Sequence, residues 1–408
     1  MKILNTSYHN IDFNSDFNFP KNHDEIVSLI NQTINTLPAL NIIKNKNLLN
    51  DTMMEISEFQ STKNTFLIFG TGGSNLGARA LINTLQGKDS KQIYFYDNID
   101  PVGFYNSINK INFENAGFIF ISKSGYTPET LSQFATIIEF FDKKNNLEKL
   151  FLNTIIITEN VDSPLAKIGK INNCKILNHE SDIGGRYSIF SNVAMIPAII
   201  AGLDVKQIHL GALKALEEKK DDTFLNIGKF FKYHKNISKL SNSVIMTYSD
   251  ALFFFGKWYL QLWAESLGKN NKGITAIHSI GTTDQHSQLQ LYLDGPKDKF
   301  FTFITTNHSK KGLLLNKKTI KEINENYLFN KTMGDLMQAE QKATMDTFNE
   351  KKIPFREIYL NEINEFSIGY LMAFCIMETI ATCIYFDVDP FNQPAVERGK
   401  ILTKEYLT

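Results

Sequence analysis

Ser122, Lys123, Ser124 and Thr127 bring three hydroxyls and one ammonium into a single short stretch, Ser-Lys-Ser-Gly-Tyr-Thr-Pro-Glu-Thr130. That set suits an anion: hydroxyls and free backbone N–H groups bond its oxygens, and the ammonium offsets its charge. Gly125 permits a tight turn, Pro128 fits the first turn of a helix, and Thr127 stands at the N-cap position. The stretch reads as a phosphate cradle at a helix start. The plainer alternative is an ordinary strand-to-helix turn with a capping Thr. A second loop, Gly70-Thr-Gly-Gly-Ser-Asn-Leu-Gly77, puts Gly73 and Ser74 where a backbone approaches a sugar or phosphate closely, or where elements pack tightly. It is not a dinucleotide fingerprint: Asn75 occupies the third glycine position, and no acidic residue waits about 20 positions on. No Gly-Lys-Ser/Thr ending makes it a Walker A loop.

Four other residues have reactive chemistry in unusual settings. Arg186 follows two glycines in Asp-Ile-Gly-Gly-Arg-Tyr-Ser188, so its guanidinium approaches a ligand without backbone obstruction, or it pairs with a surface carboxylate. Glu265 lies on an apolar helix, Trp258 to Leu267, one turn after Gln261. A carboxylate there needs a partner or a function. His286 closes Gly281-Thr-Thr-Asp-Gln-His, and a lone His is more often structural than catalytic. With His278 it makes a poor metal site, because no carboxylate stands at ligand spacing. Lys400 ends the tail segment Asp389-Pro-Phe-Asn-Gln-Pro-Ala-Val-Glu-Arg-Gly-Lys, in which two prolines and Gln393 suggest a segment held in place rather than a solvated helix.

Elements must position these groups. Phe66–Phe69, Ile93–Tyr96, Phe118–Ile121 and Thr154–Thr158 read as buried strands alternating with helices, the pattern of an α/β fold with a parallel sheet. A second α/β set begins at Val244–Tyr248, continues at Phe300–Thr305 and Glu357–Leu360, and ends in an apolar helix over Phe366–Phe386. Helix is expected over 285–293 and continuously over 317–349, with a polar Gly-rich loop from 268 to 284. The expected partition is an N-terminal helical segment (1–45) that starts extended, a first α/β domain (46–205), a helical connection (206–240), a second α/β domain (241–386) and a C-terminal arm (387–408).

The chain has 408 residues, beyond one core of ordinary size. Equal numbers of acidic and basic residues, 43 each, give no sign of a nucleic-acid or membrane partner, so a negative substrate must be met by local groups. Three cysteines without a CxxC pair predict a reducing, cytoplasmic setting, and Met1–Pro20 has no apolar signal-peptide core.

Taken together, Gly-Thr-Gly-Gly-Ser74, Ser122-Lys-Ser-Gly-Tyr-Thr127, Gly-Gly-Arg186-Tyr-Ser, Glu265-Ser-Leu-Gly-Lys, Gly-Thr-Thr-Asp-Gln-His286 and Phe391-Asn-Gln-Pro-Ala-Val-Glu-Arg-Gly-Lys400 resemble the phosphoglucose isomerase family, in the family's order and in its shorter bacterial form. The resemblance implies two SIS-type three-layer αβα domains with parallel-rich sheets, a C-terminal arm, and a homodimer with shared sites. It implies reversible aldose–ketose isomerisation of glucose 6-phosphate and fructose 6-phosphate through ring opening and a cis-enediolate, in glycolysis and gluconeogenesis, with no cofactor. Dual glucose/mannose phosphate isomerisation and a non-catalytic sugar-phosphate sensor are the alternatives. By motif, Glu265 matches the family's proton-transfer base, and Arg186 the cation beside the enediolate. His286, from the neighbouring subunit, and Lys400 match the ring-opening pair, and Glu129 the carboxylate that partners the His. Gly73, Ser74, Gln261 and Gln393 match sugar contacts, and Ser122, Lys123, Ser124 and Thr127 the phosphate loop. Tyr126, Asn392 and Ala395 depart from residues common in relatives, Thr, Asp and Gly respectively.

Overall fold

The computed structural model describes residues 3–11, 21–85, 91–159, 162–219, 223–233 and 240–408. Parts of the expected 1–45 and 206–240 segments lie outside them. Among the described residues, ten strands form two five-stranded sheets. The first joins β2 (Thr65–Phe69), β3 (Gln92–Tyr96), β4 (Ala116–Ile121), β5 (Thr154–Thr158) and β6 (Lys175–Asn178) in the order β3-β2-β4-β5-β6, all parallel. The second joins β7 (Asn242–Thr247), β8 (Thr275–Ile280), β9 (Lys299–Thr306) and β10 (Phe355–Leu360) in parallel, and β1 (Leu4–His9) closes its edge antiparallel to β10. Fully buried runs such as Thr-Phe-Leu-Ile-Phe69 and Ala-Gly-Phe-Ile-Phe-Ile121 are what a sheet covered on both faces demands. The fold is α/β with parallel-rich sheets.

Strand order reverses at β2, whose neighbours are β3 on one side and β4 on the other. The connections leave in opposite directions there, which opens a crevice at the carboxyl ends of β2 and β4. Both loops singled out in the sequence, Gly70–Ser74 and Ser122–Thr127, begin at that crevice.

The apolar helix Glu365–Tyr385 packs against the helices Val205–Glu218, Asn226–Tyr233 and Phe253–Leu267. Among the described residues it is the one single helix long and apolar enough to cross a membrane, and most of it is buried inside the molecule. Its one deeply buried charge, Glu378, forms a bidentate pair with Arg356 of β10, whose Nε donates to Thr302 at 3.0 Å. Removing one partner would strand the other in the core.

Several elements differ from expectation. The extended start of the expected N-terminal segment is a strand at residues 4–9, and its partner lies at the far end of the chain (Leu4 opposite Leu360), a pairing that the sequence does not announce. Strand β8 replaces expected loop, and β6 was not expected. The helix expected over 285–293 starts only at Leu289, after a 3-10 turn at Thr283–Gln285. The helix expected over 317–349 is broken into Lys317–Glu322 and Met333–Glu350. Asn324 and Asn330 take positive φ between them, and Thr332 with Asp335 restarts the helix as a capping box.

His179 and His209 are buried and His278 is half-buried, and burial is the main reason each is pushed down to about 4. The folded chain keeps them neutral where the unfolded chain, near 6.5, takes up protons. Their contribution is therefore complete above pH 6.5 and is lost as pH falls toward 4, at up to about 4 kcal/mol per pH unit if all three titrate together. The expected result is a melting temperature that drops steadily from pH 7 to pH 5. A flat profile would mean these rings are charged in the fold.

Candidate active site

The turn after β2 is a 3-10 helix, Gly72–Ser74. Gly73 lies against the backbone of Gly185 and Arg186 so closely that an added Cβ would fall 2.2 Å from the Gly185 carbonyl carbon. Two loops far apart in sequence can meet this way only without side chains between them. Gly73→Ala is expected to force the loops apart, destabilising the protein by about 1–3 kcal/mol and lowering turnover at least tenfold. Unchanged turnover would show that the loop contact is not part of the site.

Arg186 sits in the second of these loops, in the 3-10 turn Gly185–Phe190, and is 3% exposed. It is no surface partner. Its guanidinium has five N–H donors, and all five are used. Nε donates to the Ser266 hydroxyl at 2.9 Å. Nη1 donates to Glu265 Oε2 at 3.3 Å and to Gln393 Oε1 at 2.8 Å. Nη2 donates to the carbonyls of Pro390 at 2.6 Å and Asn392 at 3.2 Å. One side chain therefore holds the apolar-helix carboxylate and the tail together.

Glu265 is a turn after Gln261 on the helix Phe253–Leu267, and Gln261 Nε2 donates to Glu265 Oε1 at 2.8 Å. The same amide nitrogen lies beside Gly72. With Arg186 on one oxygen and Gln261 on the other, the carboxylate has a fixed direction, and 37% exposure of its side chain leaves it open to a ligand. Gly73, Arg186, Gln261, Glu265 and Gln393 thus form one connected group.

The tail is clipped down by residues the sequence did not mark. Tyr187 donates to the Pro390 carbonyl at 3.0 Å, and Lys269 donates to the Asp389 carbonyl. Asp389 in turn accepts from the Phe391 amide at 2.8 Å and from Asn392 Nδ2 at 2.6 Å. An Asp at 392 would set two carboxylates against each other, so the Asn departure fits this turn. Ser266, next to Glu265 on an apolar helix, was a readable signal. Lys269 carried none.

In the Ser122–Thr127 turn, the Ser122 and Thr127 hydroxyls lie 2.8 Å apart, and Ser124 Oγ accepts from the Tyr126 amide at 3.2 Å. Thr127 takes the N-cap place but makes no side-chain cap bond, so the first-turn N–H groups of the helix Pro128–Asp142 remain available. Gly125 has φ +69 and leaves no room for a Cβ against Ser163. The Lys123 ammonium points away from the turn, donating to the Ser181 carbonyl at 2.7 Å.

Three expected site residues stay apart within the chain. His286 is exposed, and no hydrogen bond or ion pair joins it to Glu129, which sits half-buried in the first turn of Pro128–Asp142. Lys400 is exposed and donates to Glu397 at 2.6 Å, on a helix, Glu397–Leu407, that has no buried residue. Among the described residues no group of three or more His, Cys, Asp or Glu is placed to hold a metal ion.

The family model for phosphoglucose isomerase matches residues 56–408. The probable glucose-6-phosphate isomerase of Methanococcus maripaludis is 35% identical over 378 residues, spanning 90% of this chain and 83% of that protein. The glucose-6-phosphate isomerase of Campylobacter jejuni is 33% identical, spanning 88% of this chain and 89% of its own. Among solved structures, a hypothetical protein from Thermus thermophilus superposes with a TM-score of 0.86 at 25% identity, covering 95% of each chain. A glucose-6-phosphate isomerase from Chlamydia trachomatis shares the fold with a TM-score of 0.74 at 20% identity, covering 88% of this chain and 73% of that one.

Proposed function

Because the chain belongs to the phosphoglucose isomerase family, we propose that it interconverts glucose 6-phosphate and fructose 6-phosphate, a step of glycolysis and gluconeogenesis. The observation that carries the reading is the Glu265 carboxylate held between Gln261 and a buried, fully bonded Arg186. An aldose–ketose shift moves one proton between adjacent carbons, and a carboxylate held in one direction serves both, removing the proton from one carbon and returning it to the next. Charge develops on the enediolate oxygens as the proton leaves. Arg186 then stabilises what forms late more than it stabilises the substrate. The Ser122–Thr127 turn anchors the phosphate, so remote binding energy aligns the reacting carbons. Ring opening before the shift needs a proton donor and acceptor near the ring oxygen, the roles assigned to His286 and Lys400, with Glu129 orienting the imidazole. Gly73, Ser74, Gln261 and Gln393 contact the sugar. The test is a coupled assay with fructose 6-phosphate supplied, EDTA present and glucose 6-phosphate detected. No conversion would overturn the reading.

The site is completed by a second copy of the chain. What supports this is that no bond joins His286 to Glu129, together with an arm helix that exposes Ile401, Tyr406 and Leu407 and has no fully buried residue. The homodimer follows from the same reading. Mixing Glu265→Gln and His286→Ala proteins under conditions of subunit exchange is expected to restore activity from two inactive preparations, because one of the two hybrid sites is intact. No recovery after verified exchange would put the whole site in one chain. The free, buried Cys174, Cys375 and Cys383 fit the cytoplasm as the place of action. The two sheet-centred halves are read as SIS-type domains.

A further inference from the structure

We propose that the Lys123 side chain is a brace rather than a phosphate ligand: it ties the anion turn to the segment that carries Arg186, so that filling the turn steadies the charge at the reacting carbons. The proposal deepens the isomerase reading and rests on it.

Lys123 belongs to the turn through its backbone alone. Its carbonyl accepts from the Glu159 amide at 3.0 Å and from the Thr158 hydroxyl at 3.1 Å, which fixes the turn against the end of β5. Its ammonium leaves in another direction. It donates to the Ser181 carbonyl at 2.7 Å, lies 3.6 Å from Glu159 Oε2, and faces a cavity of about 490 Å³ bounded by Asp182, Gly184, Tyr187 and Phe391. The ammonium thus already has a carbonyl and a carboxylate as partners. Swinging it into the turn would sacrifice both bonds, while the hydroxyls of Ser122, Ser124 and Thr127 and the first-turn N–H groups already offer an anion its contacts.

Besides the bonds that Arg186 and Tyr187 make to the tail and to the helix Phe253–Leu267, the segment at the other end of the brace is held along its length. Lys123 grips it at Ser181, Gly73 abuts it at Gly185, and His209 bonds the Phe190 carbonyl at 3.2 Å. Arg186 lies between the first and last of these. Only the Ser181 grip comes from the anion turn. An ordered turn therefore holds Ser181, and Ser181 sets the entry of the short run 182–185 that leads to the guanidinium. Lys123 in this role is a positioning residue.

Lys123→Met keeps the length of the side chain and removes the ammonium. The expected result is a kcat lowered roughly 10- to 100-fold, the scale of a small misplacement at the reacting atoms, with affinity for a non-reacting hexitol 6-phosphate within about threefold of wild type. Weakened hexitol phosphate binding of tenfold or more would make the ammonium a direct phosphate contact and overturn the proposal, as would unchanged values of both. A second measurement needs no variant and no turnover. Inorganic phosphate added to the wild-type protein is expected to slow amide hydrogen exchange in 122–127 and also in 181–186. Protection confined to 122–127 would overturn the brace. Wild-type conversion of fructose 6-phosphate, measured alongside, separates the two readings: its absence removes the isomerase, whereas conversion without coupled protection removes only the brace.

Discussion

Glu265→Gln is expected to lower kcat by roughly 10²–10⁴-fold and leave KM near the wild-type value. The substitution preserves most of what surrounds the carboxylate. The amide oxygen of a Gln can still accept from Arg186, and its NH2 group, in the place of the other oxygen, can donate to Gln261 once that amide turns its own unpartnered oxygen toward it. Shape, packing against the apolar helix and contact with the tail through Arg186 all persist. What disappears is the ability to take a proton from carbon and give it back. A loss confined to kcat is the signature of an interaction made only as the reaction proceeds. Near-wild-type turnover would remove Glu265 from the mechanism.

Arg186→Lys should be nearly as damaging, with a kcat loss of about 10²–10³-fold, the size expected when a fixed charge beside the developing enediolate is displaced. The two cations are not interchangeable here. A Lys has three donors and no planar fork, and Arg186 uses five donors in fixed directions on Ser266, Glu265, Gln393 and two tail carbonyls. Some buried acceptors must lose their partner, and the tail from Pro390 to Gln393 should loosen with them. Amide exchange in 389–393 is therefore expected to rise together with the fall in kcat. A Lys variant with normal turnover and a protected tail would show that Arg186 is replaceable by any positive charge.

The parts of the site that the sequence revealed are those whose chemistry is contiguous. Ser122 to Pro128 announces a strand end, a turn and a helix start within one stretch. Glu265 stood out because an apolar helix has no use for an unpartnered carboxylate. Arg186 left two readings open, since guanidinium partners cannot be deduced from neighbours in sequence. The structure resolves that point with backbone carbonyls of Pro390 and Asn392. Any residue type can supply a carbonyl, so no pattern foretells such an acceptor. The direction of the Lys123 ammonium was hidden for the same reason, its partner being the carbonyl of Ser181.

The fold follows the same division. Strands β2 and β4 were legible as unbroken apolar runs. Strand β1 was legible only as an extended start, because Leu4–His9 gains its place in a sheet by pairing with residues 355–360. Strand β8, with a polar start and Asn-Gly-rich flanks, resembled loop until it paired along β7. Between Lys317 and Asn349 the helical composition masked a break set by left-handed Asn324 and Asn330, since an Asn takes either conformation as its surroundings require.

The most direct test of the account is to run fructose 6-phosphate to glucose 6-phosphate in deuterium oxide and locate label in the product by NMR. A carboxylate that holds the migrating hydrogen as a proton lets some of it exchange with solvent, so deuterium is expected at carbon 2 of the product, and Glu265→Gln should slow turnover and labelling together. Rapid conversion by the wild-type protein with no deuterium at that carbon would mean that the hydrogen never becomes an exchangeable proton, and proton transfer through Glu265 would be contradicted.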